Sequence, residues 1–546
     1  MAASDSSDIR VYTSLASNDK DRSFLSSNYD HPGSDVFLRY GNLVETFTSE
    51  FHKQPEYIAR SPGRVNLIGE HIDYEGYSVL PMAIKQDTIV GVGKNNGDEI
   101  TVRNVQEGFD VRSFSPDYTQ PVDMGNHSWT NYVQAAYKGV FEYLQSHEPE
   151  KMPQKLVGLN LMVSGQVPQG SGLSSSAAIV CASALAVLGY YGVPVAKWRI
   201  AEFTARCEKY VGTESGGMDQ AISIMGDKGL AKLVHFKPHL HTEDVPLPQG
   251  VTFVVANSLT RSAKAEAAPR QYNMRVVECR LAAAVLGLRL GMTQEQAHKV
   301  MTLSEVEPRV KEHGQQFVGA KGSLQGAVAA VVSELLSEDK YTHAELEGLL
   351  GEGSLEHMFA RNSSQMRSLH VAAGNDDNGQ PVGFRLRQRA LHVYSEKERV
   401  PLFKQICDGS APAEEKTEQL ARLMNDSQAS CRDLYECSCE ELDHLIQLSR
   451  QHGAEASRLT GAGWGGCTVS LVKEENVEGF IQALQQEYYE TYERIPEEYF
   501  DIPKSIPEAG KHRKPKAGWT NIVFASRPSS GGAILKLSPQ DAVLLQ

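Results

Sequence analysis

Short apolar runs bounded by turn residues alternate along this chain with longer stretches whose apolar positions recur every three or four residues. Strand-like runs lie at Thr88–Gly93, Val157–Val163, Leu230–Val234 and Val251–Ala256. Helical periodicity begins in the serine stretch Ser174–Ser176 and continues through Ala184 to Leu188, and a second stretch runs near Arg199–Tyr210 before Gly212. A third, from about Tyr272 to Leu288, repeats Val276, Val277, Leu281, Ala284 and Leu286 at helical intervals. The mixture predicts an α+β protein. One stretch imitates a membrane span, since Ala177 to Val193 is almost entirely apolar or small. Its 17 residues are at the short edge of a span, and it follows a Ser/Gly loop without basic flanks, so it predicts a buried core helix.

Elsewhere the pattern weakens. Residues 1–34 are polar and Ser/Asp-rich and predict a flexible tail outside the fold. Residues 304–383 carry scattered Gly, Glu and Asn with a turn signal at Ala373–Gly379, as expected of an insertion within a second domain. Ile495–Gly518 combines Pro496, Pro503 and Pro507 with the basic run Lys511–Lys516, and reads as a solvated loop. No internal repeat is present in the sequence.

At 546 residues the chain is too long for one ordinary core, which predicts two domains, drawn here as 35–250 and 251–546 after the tail. A formal net charge of −14 disfavours a surface built to neutralise nucleic-acid phosphates and leaves a small soluble substrate as the expectation. The eight cysteines are sparse, and only Cys437-Ser438-Cys439 brings two close together, without zinc or redox spacing. Reduced thiols in the cytoplasm are expected, in keeping with an amino terminus that has no apolar signal region. Neither a membrane nor an obligate protein partner is predicted.

Three segments carry chemistry. Pro168-Gln169-Gly170-Ser171-Gly172-Leu173-Ser174-Ser175-Ser176-Ala177-Ala178 lies between a short strand and the long apolar helix, where backbone N–H groups and a helix N-terminus can face a phosphate. Taken alone, the segment is equally a serine-rich turn that caps a helix. Neither a Walker loop nor the protein-kinase His-Arg-Asp and Asp-Phe-Gly loops accompany it. In Pro62-Gly63-Arg64-Val65-Asn66-Leu67-Ile68-Gly69-Glu70-His71-Ile72-Asp73-Tyr74, four polar groups sit inside an apolar stretch. Such a set suits a sugar whose hydroxyls both donate and accept, because a wrong hydroxyl leaves the pocket's own groups unpaired. A charged turn held by local ion pairs is the plain alternative. The third segment, Leu459-Thr460-Gly461-Ala462-Gly463-Trp464-Gly465-Gly466, would pass for a tight turn between strands on its own.

Together and in this order, the three resemble the galactokinases, the sugar-kinase branch of the GHMP small-molecule kinases. The similarity covers most of the chain from about Phe51 and includes Arg389–Glu396 and Tyr435–Cys439. It is nearest the plant galactokinases and the N-acetylgalactosamine kinases. It implies the two-domain GHMP architecture, with a phosphate-loop domain, a ferredoxin-like second domain and the site in the cleft between them. The reaction implied is ATP-dependent phosphorylation of the anomeric C1 hydroxyl of galactose. Asp219 matches the family's catalytic aspartate and Arg64 its companion at the reacting oxygen, while Glu70, His71, Asp73, Gly216 and Tyr272 match the sugar pocket. Gly170, Ser171, Gly172, Leu173, Ser174, Ser175 and Ser176 would hold the phosphates, with Trp129 near the base and Mg²⁺ on Ser176 and Glu208. The resemblance gives Lys264 as a further nucleotide contact, and makes the glycine-rich segment at 461–466 an element that closes on the phosphate side from the second domain. Pro269 departs from the family pattern by breaking helical geometry ahead of Tyr272. Two other readings stand beside the first: an N-acetylgalactosamine kinase, against which Tyr272 leans because those relatives tend to carry phenylalanine there, and a silent galactose and ATP sensor, a class that loses residues from the serine-alanine loop kept whole here.

Overall fold

The computed structural model describes residues 8–15, 23–29, 32–123, 125, 128–212, 216–260, 267, 269–321, 323–375, 379, 381–491 and 521–545. Among the described residues thirteen strands run in chain order: β1 (Val11–Tyr12), β2 (Tyr57–Ile68), β3 (Leu80–Lys94), β4 (Ile100–Asn104), β5 (Arg112–Phe114), β6 (Leu159–Gly165), β7 (Leu230–His235), β8 (His241–Pro246), β9 (Val251–Asn257), β10 (Ala454–Thr460), β11 (Cys467–Lys473), β12 (Val523–Ser526) and β13 (Ala533–Lys536). The first sheet has the order β1-β13-β2-β3-β6-β4-β5. Its central pair β2 and β3 is buried almost continuously because helices cover both faces. On one face the Ser34–Phe51 helix sets Leu43 and Phe47 against the backbone of Gly91, where a Cβ would lie 2.8 Å from Leu43. On the other lies the Ser175–Tyr191 helix, apolar on every side and buried as the sequence predicts. Among the described residues no helix is long and apolar enough to cross a membrane.

The second sheet, β10-β11-β9-β12, is antiparallel. Numbered within the domain its order is 2-3-1-4, the split β-α-β pattern of ferredoxin-like folds, with the Ala413–Asp433 and Glu440–Gln451 helices against β10. Between β9 and β10 the chain builds a run of helices from Leu303–Gly314 to Ser363–Ala373, packed on the Tyr272–Arg289 and Leu386–Asp408 helices. Scattered glycines in 304–383 hid this helical content. Leu303, Val306 and Val310 nonetheless recur at helical spacing and are fully buried.

Two expectations need correction. The segment taken for a flexible tail is partly built into the fold: β1 pairs with β13, Leu15 and Phe24 are fully buried, and Tyr29 donates from its hydroxyl to the buried Asp87 at 2.7 Å. Tyr12, Leu15, Phe24 and Leu25 pack into an apolar cluster with Tyr40, Leu43 and Phe47, beside the buried anion Asp87 paired with Arg39 and Arg60. The boundary at 250/251 does open the second sheet, but β13 returns to the first sheet and pairs with β2, so the chain's end belongs with its beginning. Residues 376–378 of the expected turn, the whole of the loop expected at 495–518, and Lys264 lie outside the described residues.

Candidate active site

The Ser/Gly segment follows β6 and enters the Ser175–Tyr191 helix through three consecutive left-handed corners at Gly170, Gly172 and Ser174, with φ 66°, 74° and 62°. Such corners are cheap for glycine and strained for serine. Ser174 is the helix N-cap, yet its hydroxyl oxygen is buried and finds no protein partner. Ser175 and Ser176 form the first turn and are half-buried. Ser171 donates its hydroxyl to the Pro168 carbonyl at 2.7 Å, and Leu173 points into the core, so these two can offer a phosphate only backbone N–H groups. Gly170 faces open space.

Arg64, on β2, reaches across to this loop. Its Nε donates to Asp219 Oδ1 at 2.7 Å and its Nη1 to the Gly172 carbonyl, while its backbone N–H donates to the Leu173 carbonyl at 3.1 Å. Asp219 stands in the first turn of the Met218–Met225 helix, where the helix dipole favours an anion. Facing it is Asp73. Burial, and next the charge of Asp219, push the Asp73 carboxyl up to about 6. Gly216 makes this approach possible, since a Cβ there would sit 2.2 Å from Asp73 Oδ2.

Glu70 and His71 turn the other way. Glu70 Oε1 accepts from the Gly461 N–H at 2.9 Å, and Oε2 meets Arg458 at 3.1 Å and the Asn66 amide at 3.3 Å. His71 Nε2 lies 2.9 Å from the Ala462 carbonyl, which can only accept, so Nε2 carries the proton. Burial pushes this imidazole down to about 3, so the ring is neutral and Nδ1 accepts from the Tyr74 hydroxyl at 3.0 Å. Tyr74 must then accept from Tyr435 at 2.6 Å, and Tyr435 from the Cys279 thiol at 3.3 Å. A directional chain thus runs from the Tyr272–Arg289 helix to the third glycine segment.

Tyr272 opens its helix three residues after Pro269, which ends the interruption in time for the ring to stand 5.6 Å from His71 and 5.5 Å from Tyr74, between centroids. Trp464, in a left-handed corner at φ 52°, closes on His71 at 5.8 Å and lies under Arg275. The third glycine segment rests on the phosphate loop: a Cβ on Gly461 would lie 2.6 Å from the Gly172 carbonyl oxygen, and one on Gly466 2.7 Å from that of Ser171. Close backbone approach, beyond any turn, requires glycine there.

Glu208 begins the short turn after the Lys197–Cys207 helix and is buried, not the surface carboxylate its sequence context alone suggests. Cys181, on the helix that follows the Ser/Gly segment, feels the charges of both Glu208 and Asp219. The buried Glu208 carboxylate and the unpartnered Ser174 hydroxyl are hard oxygen donors of the kind that suit Mg²⁺. Trp129 caps the Thr130–His147 helix, packs edge-on against Phe109 and buries an indole N–H that finds no protein partner.

Sequence reasoning missed Arg458, Glu396, Tyr435 and His392. Glu396 accepts from the Gly69 and Glu70 N–H groups at 2.9 and 3.3 Å, and His392 meets the Glu70 carbonyl at 3.1 Å. Three of the four lie in the segments 389–396 and 435–439, and Arg458 immediately precedes the third glycine segment. Nothing in the mixed polar and apolar run Ala454–Thr460 sets Arg458 apart in the sequence.

Family models match the chain at residues 45–94 as the galactokinase galactose-binding signature, at 131–227 as the GHMP kinases N terminal domain and at 411–490 as the GHMP kinases C terminal domain. The galactokinase of Dictyostelium discoideum is 40% identical over 489 residues, spanning 86% of this chain and 91% of its own. That of Saccharomyces cerevisiae is 34% identical over 534 residues, spanning 91% and 94%. In fold, the crystal structure of Lactococcus lactis galactokinase complexed with galactose superposes with a TM-score of 0.61 over 91% of this chain and all of that one, at 24% identity. With its signature, both of its kinase domains and its close relatives in agreement, the chain belongs to the galactokinase family of the GHMP kinases.

Proposed function

We propose that this chain transfers the γ-phosphoryl group of ATP to the anomeric C1 hydroxyl of D-galactose, giving galactose 1-phosphate and ADP. One observation carries the reading: the Arg64 guanidinium bonds at once to Asp219 and to the Gly172 carbonyl of the phosphate loop. A single cation thereby fixes the distance between the proton acceptor and the nucleotide's phosphates. Asp219 takes the proton of the attacking hydroxyl, and Arg64 favours the ionised carboxylate and offsets charge on the oxygen and the phosphoryl group. A carboxylate paired with arginine is a weak base. A loose phosphoryl-transfer transition state asks for little proton removal until late, so positioning and charge carry much of the rate.

Asp73, facing Asp219, accepts from a sugar hydroxyl. Gly216 lets it come close, and Tyr272 lines the same wall. Glu70 and His71 hold the pocket from behind through Gly461, Arg458, Tyr74 and Ala462. Backbone N–H groups of Gly170–Ser174 and the hydroxyls of Ser174–Ser176 receive the phosphates at the helix N-terminus. Ser176 and Glu208 would hold Mg²⁺, which when bound neutralises charge on the β- and γ-phosphates.

Purified protein with Mg²⁺ and ATP is incubated separately with galactose, N-acetylgalactosamine, galacturonate, arabinose and glucose, and sugar 1-phosphate is measured directly. The expected result is preferential product from galactose, lost by about 10²- to 10⁴-fold in Asp219→Ala, the range for removing a general base. Preference for another sugar overturns the pocket assignment. Binding of sugar and ATP by folded protein without product would make the chain a sensor.

A further inference from the structure

We infer that Glu75 is a positioning residue that fastens the sugar loop to the helical segment inserted between β9 and β10, and thereby sets the position of Asp73. The inference rests on the sugar-pocket reading of Asp73 given above. Glu75 is 1% exposed, and its Oε2 accepts from the Leu303 N–H at 2.6 Å. Leu303 is the first residue of the Leu303–Gly314 helix, and the cap residue Thr302 makes no side-chain capping bond. The first N–H groups of a helix need acceptors, and the Glu75 carboxyl oxygen is one whatever its protonation, burial having pushed that carboxyl up to about 8. Glu75 supplies that acceptor from 228 residues away.

A second contact lies one turn along the same helix, where the Tyr77 hydroxyl donates to Glu307 Oε2 at 2.8 Å. Between them Gly76 lies against Lys237, whose Nζ donates to Ser304 at 3.1 Å. Glu75 and Tyr77 therefore grip one helix from both sides of Gly76. The grip reaches Asp73 through the backbone: Gly76 N–H donates to the Asp73 carbonyl at 2.9 Å, and Glu75 and Tyr77 N–H both donate to the Ile72 carbonyl at 3.2 and 3.1 Å. This turn is closed on itself and moves as one piece. Releasing Glu75 frees the turn and loosens the Asp73 carboxylate relative to Asp219, while the phosphate loop, held by Arg64 and Gly461, is untouched.

The test compares Glu75→Ala, Glu75→Gln, Tyr77→Phe and Asp73→Asn in the full chain, with KM for galactose, KM for ATP and Tm measured on each. Glu75→Ala is expected to raise galactose KM about ten-fold, less than the ~10²-fold of a full 1 Å misplacement, with ATP KM unchanged. Glu75→Gln keeps an acceptor for the Leu303 N–H and should restore the parent value, a rescue that loss of fold would not show. Tyr77→Phe, which removes one hydroxyl and remains folded, should raise galactose KM in the same direction by less. Parent galactose KM in Glu75→Ala, an equal rise in both KM values, or failure of glutamine to rescue overturns the inference. If Asp73→Asn itself leaves galactose KM unchanged, the sugar-pocket reading falls with it. If Asp73→Asn raises that KM and Glu75→Ala does not, only the fastening role falls.

Discussion

Replacing Gly216 by alanine tests the sugar pocket through a single methyl group. The Cβ would lie 2.2 Å from Asp73 Oδ2, 2.4 Å from its Cγ and 2.8 Å from the Tyr74 N–H nitrogen. Gly216 is not among the residues with positive φ, so alanine suits its backbone and the strain is steric. Ordinary contact needs roughly 3.4 Å, and the turn closed by the Gly76 and Tyr77 N–H groups resists moving as a body. The Asp73 carboxylate must therefore retreat by about 1 Å, a displacement worth up to ~10²-fold at a reacting centre, or about 2.7 kcal/mol. Galactose is varied at saturating ATP, then ATP at saturating galactose. If Asp73 binds the ground state and transition state alike, galactose KM rises and kcat stays near the parent. A double-mutant cycle isolates the route: with Asp73→Ala already in place the methyl group meets only the Tyr74 nitrogen, and Gly216→Ala should add a much smaller further loss. An unchanged galactose KM in the single variant, or an equal loss in both backgrounds, refutes the reasoning.

Two further outcomes follow from the same geometry. Because burial and Asp219 push Asp73 up to about 6, it is a carboxylate above that pH and a carboxylic acid below it. The kcat/KM for galactose should fall as pH drops through about 6, and a pH-rate profile of Asp73→Asn should lack that limb. Burial pushes the Glu70 carboxyl up to about 7 even beside Arg458, so Arg458→Ala should cost about 3–5 kcal/mol of stability in urea unfolding well above that pH, as for other broken buried pairs, and less below it, where Glu70 takes up a proton. A loss below about 1 kcal/mol, the level of an exposed pair, would contradict the burial of that contact.

Sequence made the chemistry more legible than the architecture around it. Each of the three glycine-bearing segments has a plain reading by itself, and they were readable because together and in order they resemble the galactokinases. The structure brings all three together at Arg64, Gly172 and Gly461. Strands β3, β6, β7 and β9 and the three periodic helices were readable because their apolar spacing reports a buried face directly. β2 was not, since its residues are buried on both faces and include Arg60, Arg64 and Asn66, so neither alternation nor a clean apolar run marks it. The partners of Glu70 were illegible for a different reason. Arg458 is 392 residues from Asn66 in sequence, and nothing local in either segment announces a contact over that separation. The same holds for Glu75 and Leu303.

The pocket is set by a buried polar seam between the two sheets. Arg458 spans it to Glu70 and the Asn66 carbonyl, Glu396 spans it to the N–H groups of Gly69 and Glu70, and Thr460 accepts from the Asn66 N–H at 2.8 Å. Desolvating these charges is expensive, and apolar side chains of the same volume would hold two domains together at least as well. Apolar surfaces, however, tolerate sliding by fractions of an ångström, whereas a guanidinium shared between a carboxylate and a carbonyl has one satisfactory position. Every member of the seam bonds to residues 66–70, the stretch that joins Arg64 on β2 to Asp73 on its turn. Just past the end of β10, the strand that carries Arg458, Gly461 lies against Gly172. One rigid connection therefore fixes the Ser/Gly loop, the Arg64–Asp219 pair and Asp73 with respect to one another, which is what the proposed direct transfer between ATP and a sugar hydroxyl demands.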